Sequence, residues 1–76
     1  MESFDIAVNR ETYVIVYNNS DDYSFIVFNH KTCHIVKKND DGIWEEVEHR
    51  FGAVLFPLSE IGAAIDDHYE EVFQNR

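Results

Sequence analysis

Between Ser3 and Arg50 the apolar residues either alternate with polar ones or fill whole runs. After Pro57 their spacing lengthens to three and four. The first regime is that of strands and the second that of a helix. "SFDIAVN" (3–9) alternates Phe4, Ile6 and Val8 with Asp5, Ala7 and Asn9, as a half-buried strand does. "TYVIVYN" (12–18) and "YSFIVFN" (23–29) are β-branched or aromatic on both parities, which suits strands covered on both faces. "TCHIVKK" (32–38) and "IWEEVEHR" (43–50) complete the set. In the last, Ile43, Glu45, Val47 and His49 fall on one face, and Trp44, Glu46, Glu48 and Arg50 on the other.

The connections are short and rich in turn residues. "NRE" (9–11) is a short turn and "NNSDD" (18–22) a loop. "NHK" (29–31) reads as a tight hairpin in which Asn29 and His30 take positive φ. Asp41-Gly42 in "NDDG" (39–42) is the strongest hairpin signal. Parallel strands need crossovers of about a dozen residues, so these connections dictate an antiparallel meander of four or five strands. "RFGAVLFP" (50–57) bridges to the helix, with room for a short strand at Val54–Phe56. Ser59 suits the N-cap and Glu60 the first turn of a helix over about 60–73. Gly62 weakens that helix by about 1 kcal/mol relative to alanine, so packing must hold it. The expected architecture is α+β: a single domain over 1–76, with a meander sheet and one C-terminal helix on one face.

On the helix, Ile61, Ile65, His68 and Val72 fall within one arc, flanked by Ala64 and Tyr69. The acids Asp66, Asp67, Glu70 and Glu71 surround the outer face and do not converge on His68. They read as solvated surface, with a basic protein partner as the functional alternative. His68 reads as a core or rim histidine; its functional reading is a shallow binding cleft with His49 and Tyr69 at the sheet–helix edge.

A helix of 14 residues is about 21 Å long and 10 Å wide. Four or five strands at about 4.8 Å spacing make a face about 20–24 Å across. One helix therefore covers about half of one face. Yet Val14, Val16, Ile26, Phe28 and Val36 occupy one parity, and Tyr13, Ile15, Tyr17, Phe25, Val27 and Ile35 the other. The remainder needs cover, most simply from a second copy in a two-fold homodimer. Tyr13, Tyr17, Phe25, Phe28 and Trp44 are the candidate interface aromatics.

Charge narrows the partners. The net charge of −9 is uneven: residues 1–39 carry −1 and residues 40–76 carry −8. An acidic half repels phosphate, so nucleic acid and anionic membrane are poor partners. The sheet aromatics, including Tyr23, leave a single-stranded nucleic-acid binder as the third reading. The lone cysteine, Cys33, permits no intrachain disulfide and suits a reducing compartment. "MESFDIAVNRE" has no basic segment followed by an apolar run, so the expected location is cytoplasmic. "HKTCH" (30–34) offers metal-ligand types, but Cys33 and His34 point to opposite faces of a strand; neither metal nor cofactor is expected. No phosphate loop, zinc-protease helix motif or nucleophile elbow is present. The reading favoured by the sequence is a non-catalytic, acidic interaction module. The alternative is a small-molecule binder or minor enzyme with a His/Tyr-lined cleft.

Overall fold

A computed structural model describes residues 3–18, 24–52 and 56–74, with Asn18 and residues 70–74 described by their backbone alone. The strands are β1 (Ser3–Val8), β2 (Glu11–Asn18), β3 (Ser24–Phe28), β4 (Cys33–Lys38) and β5 (Trp44–Phe51), followed by α1 (Leu58–Gln74). They form one antiparallel sheet in the order β1-β2-β3-β4-β5, and α1 packs on one face. The α+β meander with a terminal helix is therefore the fold. The expected loop over 18–22 and strand at Val54–Phe56 fall largely outside the described residues, as does Tyr23; Phe56 itself is not in a strand.

The turns explain the register. Asn9 and Arg10 form a two-residue hairpin loop, with φ 52° and 69°. Both values are positive, as a type I′ turn requires to match strand twist. Positive φ does not occur at Asn29 and His30, where the sequence suggested it. The Asn29 side chain builds that loop instead: its Oδ1 accepts from the amides of Lys31 (2.8 Å) and Thr32 (3.1 Å). Its Nδ2 donates to the Thr12 carbonyl at 3.2 Å, tying the loop to β2. Asn39 does similar work before Gly42 (φ 81°), accepting from the amides of Asp41 and Ile43.

The 29–32 loop corrects the parity count. It pairs Phe28 with Cys33, so even positions on β3 face the same way as odd positions on β4. Val36 thus joins the helix-side core, while Ile35 lies beside Ile26 on the opposite face. The sequence reading had these two reversed, because parity carried across a loop depends on how many residues the loop holds.

The core lies between sheet and helix. Val8, Tyr13, Ile15, Phe25, Val27 and Val36 are buried against Ile61 and Ile65, with Phe4, Trp44, Phe56 and Tyr69 packed around them. The helix starts at Leu58, and the Ile61 amide donates to the Pro57 carbonyl. Pro57 therefore takes the place expected of Ser59, which is an exposed first-turn residue. Proline suits a helix entrance because its missing N–H has no partner to lose there. The weakness at Gly62 also has its reason: a Cβ there would lie 2.3 Å from Trp44 Cδ1. The helix gives up propensity so that the indole can approach its backbone.

Candidate functional site

Two features stand out: the sheet face away from α1, and a buried histidine network between β4 and β5. Val14, Val16, Ile26, Phe28, Cys33 and Ile35 share the first by register. Ile35 is buried among its neighbours and the other five are half-buried. None belongs to the cluster packed with the helix. Phe51 extends this face beside Cys33 and is exposed. Burial pushes the Cys33 thiol up; Arg50 pulls it back and Glu48 adds to the rise.

Some of the charges on this face sit beside opposite ones, while Asp5 of β1, opposite Val14, adds a further negative charge. Lys37 lies opposite Glu45 across the β4–β5 pair. Arg50 Nε lies 2.6 Å from Glu48 Oε2. β5 carries two register shifts against β4, which leave Val47 and Arg50 as the extra residues. Bulges re-aim side chains and blunt an edge against further strand pairing. They also overturn the plain alternation expected of "IWEEVEHR". Glu46 keeps the helix side with Trp44, as the alternation has it, but His49 joins it there, while Glu48 lies opposite Ile35 on the far face.

That rearrangement assembles the histidine network. His34 is fully buried (0 % exposed) and Thr32 nearly so (6 %). His34 Nδ1 contacts Glu46 Oε1, and its Nε2 lies 2.5 Å from Thr32 Oγ1. Thr32 Oγ1 also donates to the Phe51 carbonyl at 3.1 Å. The His34 ring stacks on Phe56 at 3.8 Å and on His49 at 4.9 Å between centroids. Glu46 and His49 are the members that reach solvent. Gly52 makes the closure possible: with φ 95° it sits so close that a Cβ would lie 2.2 Å from the Lys31 carbonyl oxygen. His49 Nε2 donates to the Gly52 carbonyl at 3.1 Å.

Hydroxyl, imidazole and carboxylate stand here in the order of a nucleophile, its base and an orienting acid. Here the hydroxyl is buried, and its second neighbour is the main-chain carbonyl of Phe51. The network is not visible in the sequence, because the meeting of Thr32 and His34 with β5 depends on the register between strands. Their shared inward parity with Val36 was the available signal.

The three proposed cleft residues do not converge. His68 stacks on Phe4 of β1 at 3.6 Å, nearly parallel, and Tyr69 meets the same ring edge-on. His49 lies on β5, the opposite edge of the sheet. Of the proposed interface aromatics, Tyr13, Tyr17, Phe25 and Trp44 turn toward α1, and Phe28 is on the open face. Asp66 also departs from the outer helical surface assigned to it. Its carboxylate accepts from Lys38 Nζ at 2.9 Å and from Trp44 Nε1 at 3.2 Å, clasping the helix to β4 and β5. Asp67 is exposed, and the side chains of Glu70, Glu71 and Val72 lie outside the described residues. Among the described residues no group of His, Cys, Asp and Glu is placed to hold a metal ion. Among them, too, no helix is long and apolar enough to cross a membrane.

No protein-family model, curated protein or solved structure matches this chain.

Proposed function

We propose that this chain is a non-catalytic interaction module whose working surface is the open sheet face, and that the face joins two copies of the chain. The observation that carries the reading is the apolar row Val14, Val16, Ile26, Phe28 and Ile35 on the side of the sheet away from the helix.

Charge permits a second copy as the occupant. The molecule carries −9 overall, so two copies repel unless they meet where charge is balanced. The open face approaches that condition through its Lys37–Glu45 and Arg50–Glu48 neighbours, with Asp5 at its β1 edge as the one further acid named by the register. Face-to-face packing is favoured over edge extension at β5, because the bulges and Glu45, Glu46 and Glu48 blunt that edge.

Light scattering coupled to size exclusion tests the proposal. The expected mass is twice 8.9 kDa at micromolar concentration. Ile26→Lys and Phe28→Lys, each half-buried on the face, should return the chain to 8.9 kDa with an unchanged far-ultraviolet spectrum. A wild-type protein at 8.9 kDa at high micromolar concentration overturns the reading. A basic protein partner would then become the leading occupant.

A further inference from the structure

We infer that His34 is a proton-controlled switch that decides which way the Thr32 hydroxyl points, tethering or releasing the Phe51 carbonyl at the end of β5. The geometry forces the choice. A threonine hydroxyl has one hydrogen to donate. Thr32 Oγ1 is within reach of two groups, the Phe51 carbonyl at 3.1 Å and His34 Nε2 at 2.5 Å. The carbonyl can only accept. While Thr32 donates to Phe51, its oxygen must therefore accept from His34, so Nε2 carries hydrogen. Nδ1 meanwhile faces the Glu46 carboxylate, which also accepts. Every contact is then satisfied only if the His34–Glu46 pair holds one additional proton.

Loss of that proton leaves a neutral ring with a single N–H. Glu46 holds this hydrogen on Nδ1, and Nε2 becomes an acceptor. Thr32 then rotates its hydroxyl hydrogen from the Phe51 carbonyl to Nε2. The proton leaves through Glu46, which hydrogen-bonds the ring and reaches solvent. One hydrogen bond is exchanged for another inside a buried site, and the carbonyl of Phe51 loses its side-chain donor. A buried polar network tolerates two such arrangements because each satisfies the ring nitrogens.

The titratable groups facing His34 are Glu46 and His49, both on β5. β3 opposes it with Val27, and the Phe56 ring stacked on it meets Tyr13 of β2 edge-on. The helix turns Ile61 and Ile65 to the core, and its Asp66 is engaged by Lys38 and Trp44. The switch does not depend on oligomeric state.

Two-bond ¹H–¹⁵N spectra of the intact chain read the state of each His34 nitrogen, and the Phe51 carbonyl ¹³C shift reads the tether. Across the pH range in which the chain stays folded, Nε2 should pass from donor to acceptor. The Phe51 carbonyl should shift with the same midpoint. Thr32→Ser should preserve the coupled transition. Thr32→Val should abolish the Phe51 response while His34 still reports its own state. Should that variant fail to fold, wild type and Thr32→Ser still carry the test. A Phe51 carbonyl that ignores the His34 transition overturns the inference, as does a His34 that stays in one form across the range.

Discussion

Trp44 rests so closely on Gly62 that a single added Cβ would come within 2.3 Å of the indole. This contact fixes the helix against the start of β5 and sets two opposed effects in one substitution. Gly62→Ala gains about 1 kcal/mol of helix propensity but overpacks a tight site, which costs about 1–3 kcal/mol. The expected result in urea denaturation is a net loss of about 1 kcal/mol. In a Trp44→Ala background the same substitution should become stabilising. A Gly62→Ala that stabilises the otherwise native protein would show that the indole moves aside freely.

Arg10 holds φ 69° in the β1–β2 hairpin, a conformation that costs a non-glycine residue about 1–2 kcal/mol. Asn9 before it is well suited to the turn, and Asn-Gly is the preferred pair. Arg10→Gly should therefore raise stability by about 0.5–1 kcal/mol, measured by denaturant midpoint at unchanged slope. A loss would mean that the Arg10 side chain contributes more than its backbone costs.

Salt separates the homodimer from the nucleic-acid reading. Two copies of a −9 chain repel, and salt screens that repulsion over a Debye length of about 10 Å at 0.1 M. The dimer dissociation constant should therefore stay level or fall as sodium chloride rises from 20 to 500 mM, measured by analytical ultracentrifugation. Single-stranded nucleic-acid binding would weaken steeply over the same interval.

The fold should lose stability in alkali. Burial pushes the Tyr13 phenol above its ordinary 10.0, with Glu11 adding and Lys31 opposing. The Cys33 thiol likewise rises above 9.0, chiefly through burial. Both groups release their protons more easily when unfolded, so the unfolded state binds fewer protons in this range. Stability is then complete below pH 9 and declines as pH rises through the unfolded and toward the folded values. Tyr13→Phe and Cys33→Ala together should flatten the decline between pH 9 and 11 in thermal melts. An unchanged slope would show that other groups govern it.

Much of this molecule is written in its local pattern. Alternation in "SFDIAVN", the apolar runs of β2 and β3, and the Asp41-Gly42 turn determine an antiparallel meander, because period and turn chemistry act over a few residues. The change of period after Pro57 determines the helix and its inward stripe of Ile61 and Ile65. The excess of apolar strand over helical cover was equally legible, since it follows from counting areas. Tertiary structure decided the rest. The loop that pairs Phe28 with Cys33 exchanged Ile35 and Val36 between faces. The register shift at Val47 in β5 turned His49 toward His34 and Glu48 away from it. Asp66 left the solvated helix surface because Lys38 and Trp44 lay within reach across the sheet edge. Each outcome depends on registers and distances between residues far apart in the chain, and a periodicity read along one strand carries no information about its offset from the next.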